Sequence, residues 1–207
     1  LDLSTMRDKL EKFGIFEKYI LHIGNFDIRD GTKELLEVIK ILYKDLPSLK
    51  YVLIGKGPLL DWFLDNVYKI LTKENLIHIN YVPYDEIKYF YANAIVTLLP
   101  MKPPQAGLAR IALESLAMQV PVVTTDVAML KDVIKDGQTG FLFPHQEPEL
   151  AAEVVKRLTS DNALRVSIGQ NGRRLVETNY NLEKYIRNWV RSLEGMSSEN
   201  WRRLISN

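Results

Sequence analysis

The chain has 207 residues, of which 46% are apolar and 26% are charged, and its formal net charge is +1. This balance is typical of a globular protein with a sizeable core, and it excludes a strong overall attraction to nucleic acid or to anionic lipid. The absence of cysteine excludes disulfides and thiolate chemistry, which agrees with a reducing, cytoplasmic location. No apolar run approaches the ~20 residues that a membrane span requires, and the first residues show no signal-peptide pattern.

Short apolar runs alternate with amphipathic helical patterns along most of the chain. The predicted strands are Tyr19–Ile23, Tyr51–Ile54, Leu76–Ile79, Ile95–Leu99, Pro121–Thr125 and Phe141–Phe143. The predicted helices are Thr32–Leu46, Leu59–Leu71, Tyr84–Ala92, Leu108–Met118, Met129–Ile134, Glu147–Thr159, Asn162–Thr178 and Leu182–Leu193. This alternation predicts an α/β fold: a Rossmann-like, doubly wound parallel sheet with helices on both faces. We expect one domain over residues 1–193 and a polar C-terminal tail or helix over 194–207.

Ligands of this fold bind at the carboxyl ends of the strands, so the loops there carry the candidate sites. The first loop is GNFDIRDG, from Gly24 to Gly31, in which glycines bracket a turn into a helix. Such a turn can present backbone N–H groups, including that of Asn25, to an anion. Taken alone, however, the loop is better explained as an ordinary turn. His22, between two apolar residues of the preceding strand, is interpreted as a hydrogen-bonded structural histidine.

The second loop is GKGP, in which Gly55 and Gly57 permit a close backbone approach to a ligand. Lys56 between them is a cation for a phosphate or a side chain in solvent, and solvent is the better interpretation of the loop by itself. Leu60 stands where a dinucleotide fingerprint needs its third glycine, and no P-loop pattern occurs.

The third segment, AGLARIALESLAMQ, contains a carboxylate in a helix with little other polar surface. Glu114 must find partners there, because an unpaired buried charge is costly. An i, i+4 pair with Arg110 is one alternative, and a ligand in the cleft is the other. The amides of residues 107–110 open this helix and form an end that favours anions.

The residues from Ala112 to Val154, ALESLAMQVPVVTTDVAMLKDVIKDGQTGFLFPHQEPELAAEV, resemble the signature region of family 4 retaining glycosyltransferases, which have the GT-B fold. GNFDIRDG aligns without gaps on that family's G-R-x-x-x-x-K-G loop, and GKGP aligns on its G-x-G-P loop. IGQNGRRLVETNYNLEKYI, from Ile168 to Ile186, resembles the family's closing helices. The likeness extends from about Tyr19 to Ile186 and covers only the C-terminal of the two GT-B domains, which binds the nucleotide-sugar donor.

The resemblance implies which residues bind the donor. It gives Glu114 the place of the second glutamate in the family's E-x-x-x-x-x-x-x-E pair, which accepts hydrogen bonds from the donor's ribose hydroxyls. The implied substrate-binding residues are Glu114, Gly107, Leu108, Ala109, Arg110, Gly24, Asn25, Gly55, Lys56, Gly57 and Ala106. It implies no metal site, no cofactor beyond the nucleoside-diphosphate sugar, and no catalytic residue in this chain, since the acceptor-side residues belong to the other domain.

The sequence departs from the family pattern at three places in the implied donor site. Asn25 stands where the family has the arginine that meets the diphosphate, Asp30 replaces its lysine, and Ala106 replaces the first glutamate, which contacts the sugar. The candidates for the missing positive charge are Arg29, Lys33, Lys56, Lys102 and Arg110.

Two classes of function remain open on this sequence. The first is the donor-binding domain of a metal-independent glycosyltransferase, inactive without an N-terminal acceptor domain or partner subunit. The second is a noncatalytic relative that binds a partner or a nucleotide sugar, which the three departures favour. A dinucleotide-dependent dehydrogenase is a distant third. No nucleic-acid partner is expected. Arginines in the C-terminal helices leave contact with a membrane or with the missing domain open, beside the ordinary interpretation as a solvated surface.

Overall fold

The computed structural model describes residues 2–102 and 109–194, and a parallel β-sheet forms its centre. Its strands are β1 (Tyr19–Ile23), β2 (Tyr51–Ile54), β3 (Leu76–Ile79), β4 (Ala94–Leu99), β5 (Val122–Thr125) and β6 (Gly140–Phe143). They lie side by side in the order β3-β2-β1-β4-β5-β6. The predicted α/β fold with a doubly wound parallel sheet is confirmed.

Helices cover both faces of the sheet. They are α1 (Leu3–Glu11), α2 (Thr32–Asp45), α3 (Leu60–Val67), α4 (Ile87–Asn93), α5 (Ala109–Ala117), α6 (Ala128–Val133), α7 (Pro148–Ser160), α8 (Asn162–Asn179) and α9 (Leu182–Glu194). Buried side chains of α2, α3 and α7 form the core on one face, and those of α1, α4, α5 and α6 form it on the other. Within residues 2–102 and 109–194, no helix is long and apolar enough to cross a membrane.

The sequence explains why these elements form. All six residues of β4 are buried, as a central strand covered on both faces requires. In α2, the buried side chains recur at helical spacing on one face. Gly31 precedes α2 with φ +73°, and a Cβ atom there would lie 1.3 Å from the carbonyl oxygen of Pro100. Glycine therefore lets the start of α2 pack directly against the chain leaving β4.

The structure adds one helix that the sequence did not predict and corrects the ends of two predicted helices. Helix α1 is the added helix. Its apolar residues show little helical spacing, and Leu10 is its single buried residue. Its N-terminal signal was present, since the Asp2 carboxylate accepts hydrogen bonds from two amides of the first turn. The helix predicted from Tyr84 begins at Ile87, after a turn closed on the Pro83 carbonyl.

The helix predicted to end at Leu71 ends at Val67, and turns follow it. The polar tail predicted after residue 194 lies outside the described residues.

Candidate functional site

The strand order reverses at β1, which pairs with β2 on one side and with β4 on the other. A cavity of about 380 Å³ opens beside this point, at the carboxyl ends of β1 to β3 and next to α5. Open α/β sheets bind their ligands at this kind of position. The cavity is lined by Ile23, Gly24, Asn25, Ile54, Gly55, Lys56, Asn80, Tyr81, Val82, Tyr84, Ile87, Arg110, Ile111 and Glu114.

The loops after β1 and β2 are packed backbone against backbone at the floor of the cavity. Gly55 has φ +138°, and a Cβ atom there would lie 1.9 Å from the Gly24 carbonyl oxygen. A Cβ atom on Gly57 would lie 2.5 Å from the carbonyl oxygen of Phe26. The N–H of Phe26 donates to the Lys56 carbonyl at 3.2 Å, which joins the loops directly. Glycine at these positions therefore fixes the two loops relative to each other.

The buried side chain of Asp30 stabilises the first loop by a hydrogen bond to the loop's own backbone. Its Oδ2 accepts this hydrogen bond of 2.8 Å from the backbone N–H of Asn25. Asp30 stands at the position of the family's lysine, which reverses the charge there. In the structure it does not line the cavity, and it occupies a backbone N–H that an anion would otherwise find at this loop.

Glu114 reaches the cavity from the second turn of α5, and both of its carboxylate oxygens accept hydrogen bonds. Oε1 accepts a hydrogen bond of 2.7 Å from Nη1 of Arg110, and Oε2 accepts one of 2.9 Å from the hydroxyl of Tyr91. The i, i+4 pair is thus present, although Glu114 also faces the cavity. Ile111, Ala112, Ser115 and Leu116 of this helix are buried, as the expectation of little other polar surface requires, whereas the side chains of Arg110 and Glu114 are 66% and 19% exposed.

The two partners of Glu114 differ in exposure to solvent. Tyr91 is 1% exposed and is packed in the core between α4 and the sheet. Burial, with the neighbouring Glu114 carboxylate, raises the pKa of Tyr91 well above its usual range, so the hydroxyl remains a hydrogen-bond donor. The Arg110 side chain is 66% exposed, and its hydrogen bond to Glu114 raises its pKa. Tyr91 is therefore a fixed partner of the carboxylate, and Arg110 is an exposed one.

The structure shows which of the five candidate cations line the cavity. Lys56 and Arg110 line the cavity. Lys102 is paired with Glu34 at 3.0 Å, and Lys33 lies over the ring of Trp62 at 5.8 Å. Arg29 is 74% exposed, lies 4.0 Å from an Asp27 carboxylate oxygen, and does not line the cavity. Positive charge at the cavity therefore comes from Lys56 and Arg110 within the part of the chain that the structure describes.

The structure brings six of the sequence-predicted site residues to one cavity: Gly24, Asn25, Gly55, Lys56, Arg110 and Glu114. Gly57 packs against the backbone of Phe26 in the first loop and does not line the cavity. Ala106, Gly107 and Leu108 lie outside the described residues, and Ala109 is the first residue of α5.

Sequence reasoning named neither Tyr91 nor any residue of the loop after β3 as a site residue, although Asn80, Tyr81, Val82 and Tyr84 of that loop line the cavity. The loop's position at a strand's carboxyl end was the available signal. Tyr91 gave no signal, because its contact with Glu114 joins residues 23 positions apart.

His22 lies beneath the first loop and is a structural residue, as predicted. Its Nδ1 lies 2.9 Å from the carbonyl oxygen of Leu98. A carbonyl can only accept, so Nδ1 carries the proton. Burial lowers the pKa of His22.

Comparisons with known proteins identify the family of the chain. A family model described as glycosyl transferases group 1 matches residues 6–175. The chain is 30% identical over 181 residues to the capsular polysaccharide biosynthesis glycosyltransferase CapM of Staphylococcus aureus, covering 87% of this chain and 47% of CapM.

Two solved structures are similar to the fold. The C-terminal domain of the group 1 glycosyl transferase LpcC of Francisella tularensis has a TM-score of 0.74 at 26% identity, covering 86% of this chain and 93% of that one. HepE of Anabaena has a TM-score of 0.82 at 14% identity, covering 95% of this chain and 53% of that one. The chain spans about half the length of CapM. It belongs to the glycosyl transferases group 1 family and has the fold of a GT-B C-terminal domain.

Proposed function

We propose that this chain is the donor-binding half of a retaining, family 4-type glycosyltransferase that uses a nucleoside-diphosphate sugar. The observation that carries the proposal is the cavity at the sheet's switch point, where two glycine loops, two cations and the Glu114 carboxylate converge. In the proposed reaction, the bond between the anomeric carbon and the diphosphate oxygen breaks. The acceptor's hydroxyl oxygen then bonds to that carbon on the same face, and its proton passes to the oxygen of the leaving diphosphate.

The chain's own residues bind and orient the donor in this proposal. Glu114 accepts hydrogen bonds from the ribose hydroxyls, a charge-assisted interaction that Tyr91 supports by fixing the second carboxylate oxygen. Lys56, Arg110 and backbone amides stabilise the nucleoside diphosphate as it leaves, and the reaction requires no metal ion.

The proposed partner is an acceptor-binding half, either in the same polypeptide or in another subunit. The relatives support this: CapM is about twice as long as the matched region. Helix α9 supplies a candidate contact surface, which we call the α9 face. Its members are at least 45% exposed and are Leu182, Tyr185, Ile186, Trp189, Val190 and Leu193. They recur at three- and four-residue intervals, so they share one side of the helix.

The basic residues of α9 lie outside the α9 face. At about 100° per residue, Arg187, Arg191 and Lys184 lie on the side opposite the α9 face, and Glu183 borders that face. Basic residues opposite an aromatic and aliphatic side also suit a helix lying on an anionic membrane, so membrane contact is the alternative to an acceptor-binding half. A 13-residue helix is only marginally stable by itself, so a surface that covers the α9 face would also stabilise the helix.

Calorimetric titration of the isolated chain with UDP, GDP and ADP, and with their sugars, tests donor binding. UDP is the first probe because HepE, which shares the fold, was crystallised with UDP and glucose. We expect one diphosphate to bind and its sugar conjugate to bind at the same site in competition. Failure of all three diphosphates to bind would reject the proposal.

We predict that the isolated chain binds the donor but does not transfer its sugar. The reason is that the cavity contains donor-side groups, whereas the acceptor-side residues belong to the proposed partner. The measurement is the transfer of sugar from the donor to an added acceptor, followed over many turnovers. Sustained turnover by the isolated chain would contradict this prediction.

A noncatalytic relative is the second candidate, and the contact between Asp30 and the Asn25 amide favours it, because this contact removes an N–H from the anion site. The two functions differ in one result. A catalytic domain gains transfer activity when an acceptor-binding half is supplied, and a noncatalytic relative binds nucleotide without gaining activity.

A further inference from the structure

The first loop contributes no cation to the lining of the cavity, whereas Lys56 and Arg110 line it elsewhere. The first loop offers Asn25, which is uncharged, and its N–H is already bound by Asp30. Arg110 stands across the cavity, in the first turn of α5. A diphosphate in this cavity therefore has to find positive charge away from the first loop.

The Arg110 side chain is engaged by Glu114 but is not confined. Its Nη1 lies 2.7 Å from Glu114 Oε1, and two thirds of the side chain is exposed. Exposed i, i+4 ion pairs are weak, so a competing ligand separates them easily. Tyr91 keeps Oε2 occupied from the buried side and has no such freedom.

We infer that Arg110 is the phosphate-binding cation of this site and that nucleotide binding exchanges its partner. The inference rests on the proposed function, because it assumes that Glu114 binds the ribose. A ribose hydroxyl takes the place of Arg110 at Oε1, and the released guanidinium turns to the diphosphate. Arg110 thus compensates for the absence of an arginine at position 25.

Lys56 is the competing candidate, since it also lines the cavity and is exposed. Two features favour Arg110. Its planar group can form two parallel hydrogen bonds with a phosphate, whereas an ammonium acts as a point charge. Arg110 also shares Glu114 with the ribose, so occupation of Oε1 by the ribose and release of the cation are a single event.

The inference predicts that removal of Arg110 weakens the binding of a nucleoside diphosphate but not of the matching nucleoside, which lacks the phosphates. In Arg110→Gln, the affinity for the preferred nucleoside diphosphate falls about tenfold or more, because a charge-assisted hydrogen bond is lost. The affinity for the matching nucleoside does not fall, because Glu114 Oε1 no longer has a competing partner. Calorimetry with UDP and uridine, or with the preferred pair from the screen, measures both.

Two further variants make the test specific. Arg187→Gln removes an exposed arginine from another i, i+4 pair, with Glu183 at 3.0 Å on α9, and it should change neither affinity. Arg110→Lys should recover part of the diphosphate affinity, since it keeps the charge but not the planar group.

Three results would overturn the inference. Equal losses for diphosphate and nucleoside in Arg110→Gln would make Arg110 a positioning residue for Glu114. A loss of diphosphate affinity in Lys56→Gln but not in Arg110→Gln would assign the phosphate to Lys56. Absence of nucleotide binding by the unmodified chain would reject the proposed function itself, and the inference with it.

Discussion

At the scale of single residues, Glu114 connects the sequence to the site. A carboxylate among apolar residues predicts a bound partner, and the structure shows two partners, Arg110 and Tyr91. The pairing with Arg110 follows from helix periodicity and was one of the two alternatives read from the sequence. The pairing with Tyr91 depends on how α4 packs beside α5, which no local pattern encodes.

We predict that Glu114→Gln weakens nucleoside diphosphate binding by about 1.5–3 kcal/mol, because the ribose loses a charged acceptor. The fold should tolerate the change, since the glutamine oxygen still accepts from Tyr91 and the exposed pair with Arg110 contributes little. Calorimetry and thermal melting of both proteins measure these effects.

Glu177→Gln is the matched control for this prediction. Glu177 pairs with Arg173 at 2.6 Å in the same i, i+4 arrangement and does not line the cavity. It should leave nucleotide affinity unchanged. Unchanged affinity in Glu114→Gln, or a collapsed melting temperature, would show that Glu114 has a structural role instead.

At the scale of elements, burial on both faces made the strands predictable. β1, β2 and β3 have the predicted bounds because each is a short, mainly apolar run, interrupted only by His22 in β1 and His78 in β3. Helix ends were less predictable: Tyr84 precedes α4 because a turn on Pro83 holds that segment outside the helix. Asp30 shows the same limit in a loop, since its charge was readable from the sequence but its direction, toward the Asn25 amide, was not.

The packing of the two glycine loops predicts an unequal response to one substitution. Gly55→Ala should destabilise the domain by more than the roughly 1–3 kcal/mol of backbone strain, because its Cβ would lie 1.9 Å from the Gly24 carbonyl oxygen. Gly14→Ala is the control, since Gly14 also has a positive φ but no atom within 4 Å of the added Cβ. It should cost about 1–2 kcal/mol.

Denaturant unfolding of the two variants measures the difference. Gly55→Ala should in addition weaken nucleotide binding, since both loops form the cavity floor, whereas Gly14→Ala should not. Equal destabilisation by the two substitutions would mean that the loops separate without cost and do not form a fixed floor.

At the scale of the whole molecule, two kinds of apolar surface have to be distinguished. The two faces of the sheet are covered within the chain, and their side chains form its core. The α9 face is not covered by any of residues 2–102 and 109–194. Its aromatic residues Tyr185 and Trp189 are 61% and 54% exposed, and their ring centroids lie 6.4 Å apart. The sequence predicted α9 as an amphipathic helix. It gave no indication that the apolar side would be uncovered, because periodicity does not identify what a helix packs against.

This distinction predicts how stability responds to truncation of an aromatic residue. Trp189→Ala should change the free energy of unfolding of the isolated chain by no more than about 0.5 kcal/mol, as expected for an exposed position. Phe63→Ala should cost about 3–5 kcal/mol, because Phe63 is fully buried and packs against Phe26 at 5.3 Å. Denaturant unfolding of the two variants provides the comparison. A cost above about 1 kcal/mol for Trp189→Ala would mean that α9 packs on its own domain, and the α9 face would then not be available to an acceptor-binding half.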